Sequence, residues 1–364
     1  MLDPRQEMVD LTAARALFAA WVFAYHINLH AQFAGSAGPF AAFIGHGYLG
    51  VDGFFILSGL VLARVHPTLG TAPRDVIRFY AKRLLRIYPV HLATILLLAS
   101  LFVGGTAMGL APRDPLRFSA SALVEHLLLI QGWGATNHWA WNYPSWSIST
   151  EWAGYLLFPF ILAIMLSIDG IIIGSALPLL AMLLGLVAYA SGHGLNLTFA
   201  GSLLRFFPEF IAGIATARIV PYFADDMPGT KLAIAGFVVT LAGCLFGSDW
   251  LAVIGLWGSI IGFAFQADAE RTASLGRIPF MRSLGLLSYA FYMSFAPIEL
   301  ITAQLFRKMG IAPSSAKLSY SLTMIVGTFV LASVLHVLVE RPCRLIANRR
   351  FSEQPPLAPS SLPL

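Results

Sequence analysis

Residues 11–31 read LTAARALFAAWVFAYHINLHA, an apolar run interrupted by Arg15 and His26. About 20 such residues are enough to cross the hydrocarbon of a bilayer as a helix. Eleven positions separate Arg15 from His26. At about 3.6 residues per turn they return to nearly one face, ~16 Å apart along the axis. A guanidinium and an imidazole inside a membrane span are costly, so they turn toward the protein interior or a wet cavity. The plainer alternative is an arginine snorkelling to one interface and a histidine satisfied inside the core.

The rest of the chain fits a membrane setting. Its 364 residues are 57% hydrophobic and 11% charged, whereas a soluble domain carries about 25% charge. The chain therefore reads as an all-α, polytopic membrane protein. The net charge of +5 comes mostly from Lys and Arg at span ends and reports topology rather than nucleic-acid binding. Cys244 and Cys343 have no paired spacing, so neither a disulfide framework nor a metal site is expected. The start, MLDPRQEMVD, lacks the basic region of a signal peptide, and the first span is expected to be retained.

Hydropathy predicts about ten spans, at 11–31, 46–65, 84–108, 145–168, 171–191, 201–220, 231–247, 249–267, 283–306 and 318–340. The 231–247 and 249–267 hairpin, joined at Ser248, has the weakest support. Lys and Arg concentrate on one side: Arg64, Arg74, Arg78, Lys82, Arg83 and Arg86 after the second span, Arg218, Lys231, Arg271, Arg277 and Arg282 later, and Arg341, Arg344, Arg349 and Arg350 at the end. Arg113, Arg117, Arg307, Lys308 and Lys317 fall on the other side. This asymmetry puts both termini in the cytoplasm. A transmembrane domain over 1–345 and a short, disordered tail over 346–364, rich in Pro and Ser, are expected. Residues 73–88 read as a basic interfacial helix, opened by Pro73, that runs into the third span. The external connection 109–144 holds Trp133, Trp139, Trp141 and Tyr143, which read as interface anchors or, alternatively, as a carbohydrate platform.

Depth along the spans brings the ionisable groups together. His26 is ~8 Å below the external end of its span, and Asp52 and Glu151 are each ~9 Å deep. Arg205 and Glu209, four residues apart on the sixth span, share that level and are placed to pair; Glu299 is a further candidate. At the other face Arg15 joins Arg83 and Arg86, whose Arg-x-x-Arg spacing makes them neighbours on a helix. Arginine forks suit phosphate oxygens, although ordinary positive-inside residues would look alike one at a time. A cytosolic ligand with phosphates at these cations and a reactive group one arm's length away meets the description, and acyl-coenzyme A has that shape.

The same residues carry a family resemblance. Arg15 and His26 meet an Arg-x10-His pattern, GVDGFFILSG (50–59) a second-helix signature, RLLR (83–86) an Arg-x-x-Arg motif, and PSWSISTEW (144–152) a Trp-Ser-x-x-x-Glu segment. RFFPEFIAG, SYAFY and VERP (339–342) follow in order. Over residues 10–345 the chain resembles the acyltransferase family 3 integral membrane proteins, which move acyl groups, often acetyl, onto carbohydrates and related acceptors. It departs at Phe295, where many members have a histidine three residues after the second Tyr of SYxxY, and the soluble domain fused to some relatives is absent.

The resemblance implies an acyl-CoA-dependent O-acyltransferase of a bacterial inner membrane that acts on a hydroxyl of a saccharide such as an exopolysaccharide or lipopolysaccharide. Acetyl-CoA is the expected co-substrate. On that footing His26 is the general base, with Glu151 or Asp52 orienting its ring by triad logic; a transient acyl-histidine is the competing scheme. Arg15, Arg83 and Arg86 bind the donor. Ser147, Arg205, Glu209 and Tyr292 are placed at the acceptor, and Ser58, Ser147, Ser149 and Tyr292 are oxyanion donors if they are not merely packed. His30, His66, His91, His126, His138 and His193 are assigned to solvent or headgroups, and His336 to a core or ligand role. His46 and Asp52 miss a His-x4-Asp spacing by one residue. Gly47, Gly50 and Gly53 follow no strand and read as close helix packing. Two other readings use the same residues: a proton-coupled transporter, against which no inverted repeat is visible, and a non-catalytic receptor or scaffold.

Overall fold

A computed structural model describes residues 8–351 apart from 111–113, 193, 224–226 and 269–274. The described residues form helices and connections with no strand. Fourteen α-helices follow in order: α1 Val9–Ala31, α2 Pro39–Gly45, α3 Gly50–Val65, α4 Pro73–Ala107, α5 Ala120–Leu128, α6 Trp146–Leu166, α7 Gly170–Ser175, α8 Leu177–Ser191, α9 Ser202–Ile219, α10 Gly229–Phe246, α11 Asp249–Asp268, α12 Met281–Lys308, α13 Lys317–Leu335 and α14 Arg341–Arg350. Eight helical stretches are long and apolar enough to cross a membrane. Helices α1 and α9 are long enough, at 23 and 18 residues, but carry Arg15 in one and Arg205, Glu209 and Arg218 in the other. With these two, the bundle matches the ten spans read from hydropathy. It is an all-α polytopic membrane protein.

Three details differ from the hydropathy pattern. The basic segment and the third span are one 35-residue helix, α4, with Pro73 in its first turn and Pro89 inside it. Pro89 has no N–H to give the preceding turn, and its ring crowds that turn's carbonyl. The fifth span is two helices, α7 and α8, divided at Ala176. The last helical stretch runs on through α14 to Arg350, past the 340 at which the tenth span was expected to end; the tail from 352 on, Arg113, Arg271 and His193 lie outside the described residues.

Glycine sets where helices meet. A Cβ on Gly59 of α3 would strike the Phe210 carbonyl of α9, and one on Gly213 of α9 would strike the Ile56 carbonyl of α3. The two backbones therefore cross in contact, as small residues allow where no hydrophobic force separates protein from lipid. Gly50 lies in the same way against the Phe18 carbonyl of α1, where its Cβ would come within 2.7 Å. Helices α10 and α11 form the expected hairpin, closed by Gly236 against Gly255 and Gly243 against Ala252. Phe79, Phe158, Phe206 and Phe210 pack in the centre of the bundle, with Phe79 and Phe158 stacked at 5.3 Å.

The connection 109–144 is built rather than loose. Trp141 is buried and its indole donates to Ser119 O, while Trp133 donates to Ser149 O at 2.8 Å. Trp133 thereby fastens the connection to α6, while the Trp141 bond lies within the connection and its ring packs with Ile95 and Leu98 of α4; Trp139, at 47% exposure, faces outward.

Candidate active site

Two layers of polar residues occupy the bundle, one at the level of Arg15 and one at the level of His26. Arg15 (α1), Arg83 and Arg86 (α4), Ser58 (α3), Ser147, Glu151 and Tyr155 (α6), and Ser288, Tyr289 and Tyr292 (α12) line one cavity of about 90 Å³. Five helices deliver these groups, and the Arg-x-x-Arg spacing does put both α4 cations on the same wall. Glu151 Oε1 accepts from Ser58 Oγ and from Tyr155 OH, each at 2.7 Å. Among the described residues, Arg15 Nε and Arg83 Nε have no hydrogen-bond partner. Arg83 Nη2 instead donates to His66 Nε2 at 2.8 Å. His66 lies just past the end of α3, and burial, then the Arg83 charge, pushes its imidazole down to about 3. A neutral imidazole there accepts from Arg83; a protonated one would repel it. Three guanidinium groups face one lining carboxylate, so the cavity has an excess of positive charge that suits an anionic ligand.

The expected contact of Glu151 or Asp52 with His26 does not form. Glu151 belongs to the cation cavity. Asp52 is fully buried and takes Arg205 in a bidentate pair, Nε to Oδ1 at 2.8 Å and Nη2 to Oδ2. The Arg205 guanidinium also lies 5.5 Å from the Trp146 ring. Arg205 thus joins Asp52 rather than Glu209, and the Glu209 carboxyl is buried against the Asp52 side of the pair. The reason is azimuth: a depth count fixes the level of a side chain on its helix but not the neighbour that it faces. Helix α6 also begins its approach at Tyr143 rather than at Ser145, which takes Glu151 deeper than counted.

His26 has other partners. Its Nδ1 lies 3.2 Å from Tyr143 OH. Tyr143 OH donates to Glu299 Oε2 at 2.5 Å, and His30 Nε2 meets Glu299 Oε1 at 2.9 Å. Phe295 packs on the imidazole at 4.7 Å and Tyr25 meets it edge-on at 5.2 Å. The position of the family histidine is therefore occupied by a ring that fixes the plane of His26. Phe295 also touches Tyr292, at 5.6 Å, and Tyr292 lines the cation cavity. The two layers are joined through these rings, while His26 itself does not line the cavity. Ser147 Oγ donates to Tyr292 OH at 3.1 Å and Tyr292 OH to Pro144 O at 3.0 Å. Ser149 Oγ is taken up by Leu129 O at 2.7 Å, which ties the outer connection to α6.

Tyr143 and His30 are the partners that a reading of the chain in order passes over. Tyr143 sits among tryptophans and reads as an anchor. His30, four residues after His26, shares its face, and that spacing was the available signal. Of the other histidines expected to meet solvent or headgroups, His66 is bonded to Arg83, and His91 and His126 are buried and bond to backbone carbonyls; the exposed His138 reaches Leu116 O, and His336 meets Glu340 at 2.8 Å.

Membrane-crossing helices around a cavity lined by three guanidinium groups, with an imidazole held in place along the same first helix, define a polytopic membrane protein with an internal polar site. The acyltransferase domain that defines acyltransferase family 3 matches residues 8–337, and the chain belongs to that family. Acyltransferase MdmB of Streptomyces mycarofaciens is 30% identical over 375 residues, covering 94% of this chain and 93% of MdmB. No solved structure matches. The chain is a membrane acyltransferase, which sets acyl transfer ahead of the transport and scaffold readings.

Proposed function

We propose that this protein moves an acyl group, acetyl in the first instance, from cytosolic acyl-CoA to a hydroxyl of a saccharide or similar acceptor at the opposite face of a bacterial inner membrane. The observation that carries the reading is the cavity in which Arg15, Arg83 and Arg86 outnumber Glu151. The donor's phosphates sit at these cations and its pantetheine arm runs from them toward His26. Arg15 and His26 are ~16 Å apart along α1, and the arm spans that interval when extended. Tyr292 and Ser147 line its route. His26 takes the proton of the acceptor hydroxyl as the oxygen attacks the thioester, the role for which imidazole is suited near neutrality.

The test is release of free coenzyme A from acetyl-CoA by purified protein offered a panel of glycans. His26→Ala is expected to abolish release and glycan labelling while the protein still accumulates in membranes; normal turnover in that variant rejects the reading. Arg83→Ala and Arg86→Ala are expected to raise the KM for acetyl-CoA more than they lower kcat, and an unchanged KM in both removes them from the donor site. Label retained on His26 when acceptor is withheld would replace general-base catalysis by the acyl-histidine route.

A further inference from the structure

We infer that Tyr143 and Glu299 are the positioning residues of His26, and that they fix the tautomer that leaves Nε2 free to act. This rests on His26 being the base, as proposed above. The hydrogen-bond geometry leads to it by elimination of donors. A tyrosine hydroxyl has one proton. The 2.5 Å contact of Tyr143 OH with the Glu299 carboxylate uses it. At the 3.2 Å contact with His26 Nδ1 the tyrosine oxygen is then the acceptor and the ring supplies Nδ1–H. A neutral imidazole has one N–H, so its lone pair for accepting a proton is on Nε2. No hydrogen bond among the described residues reaches Nε2.

The chain of groups continues outward. Glu299 is 9% exposed and its other oxygen is held by His30 Nε2 at 2.9 Å. The His30 side chain, at 40% exposure, closes the outer end. Three elements supply the parts: α1 gives His26 and His30, the turn before α6 gives Tyr143, and α12 gives Glu299. The charged and titratable groups around it include Arg117, whose guanidinium lies 5.8 Å from the Tyr143 ring, Tyr320, whose ring lies 6.0 Å from that of His30, and Tyr25, edge-on to His26. Arg117 makes no ion pair with Glu299, so the carboxylate is left to Tyr143 and His30.

In the reaction the acceptor O–H bond breaks and its proton goes to Nε2, while the acceptor oxygen forms the new acyl bond and the acyl C–S bond breaks. The departing thiolate then takes the proton from Nε2, which returns the imidazole to its neutral form. Between these events the ring is a cation. Its Nδ1–H then donates to an oxygen already polarised by the Glu299 carboxylate, which stabilises the charge as the aspartate of a serine protease does. Here a tyrosine is inserted between the carboxylate and the ring.

Tyr143→Phe and Glu299→Gln test this in the full-length protein. Each is expected to lower kcat by roughly 10²-fold with the KM for acetyl-CoA within about twofold, because neither touches the donor cavity. The double variant is expected to be no worse than either single one, since the two act as a unit. Glu299→Asp, which keeps the charge, is expected to recover part of the loss. An independent readout is carbethoxylation of His26 by diethylpyrocarbonate at neutral pH, followed by peptide mass spectrometry. It needs no acceptor, and the rate is expected to fall several-fold in both single variants as the ring loses its fixed tautomer. Unchanged His26 modification in both, with the proteins folded by gel filtration, overturns the assignment. So does a double variant whose losses multiply. Turnover retained in His26→Ala would instead overturn the base reading beneath it, and the two failures are distinct.

Discussion

Asp52 shows how one buried carboxylate can be mistaken for another. Its oxygens are both engaged by Arg205 inside the bundle, so its loss strips a buried guanidinium of its bidentate partner. Removing one partner of such a pair costs about 3–5 kcal/mol. Asp52→Asn is expected to lower the thermal unfolding temperature in detergent markedly, and activity is expected to fall only with the amount of folded protein. An orienting residue of His26 would behave in the opposite way, with intact folding and lost turnover. Arg15, Arg83 and Arg86 were legible from spacing because a helical face is a local property. Glu151 and Asp52 were legible as intramembrane carboxylates but not as members of particular pairs. Their partners come from helices distant in sequence, and nothing local encodes the direction that they face. Tyr143 and Glu299 are separated by 156 positions; their contact belongs to the tertiary structure alone.

At the scale of elements, crossings depend on the residues that have no side chain. Gly59 and Gly213 bring α3 and α9 into backbone contact, and α3 delivers Asp52 and Ser58 while α9 delivers Arg205. Gly59→Ala places a methyl against the Phe210 carbonyl and forces the helices apart, at a cost of about 1–3 kcal/mol or more. A lower unfolding temperature than wild type is expected. Gly104→Ala is the control: a Cβ there meets nothing within 4 Å, and alanine at a helix position with open space is expected to be neutral or stabilising by up to about 1 kcal/mol. The span count was readable because hydrophobic length is additive along the chain. The continuity of α4 and the break between α7 and α8 were not, since both depend on proline tolerated or used within apolar sequence.

For the whole molecule, an even number of crossings and one-sided Lys and Arg predict that both ends of the chain are on the cytoplasmic side. The two native cysteines allow a check without engineering. Cys244 is buried in the bundle and Cys343, on α14, is partly exposed. A membrane-impermeant maleimide applied to intact spheroplasts is expected to label neither, and permeabilisation is expected to expose Cys343 alone. Labelling of Cys343 before permeabilisation would reverse the orientation, and with it the side from which the donor enters. The family was legible over nearly the whole chain because its landmarks, short as they are, occur in a fixed order on successive helices.

Helix α4 has 35 residues and is ~52 Å long at 1.5 Å per residue, whereas the hydrocarbon of a bilayer is about 30 Å thick. A helix this much longer than the slab it crosses must tilt or project, and the balance shifts with lipid chain length. Arg83 and Arg86 lie on α4 before Pro89, whereas Arg15 and His26 share α1. The cation wall is thus shared between two helices of unequal length. A bilayer thickness that tilts α4 against α1 would move Arg83 and Arg86 relative to Arg15, so the KM for the proposed donor is the quantity in which lipid chain length is expected to register.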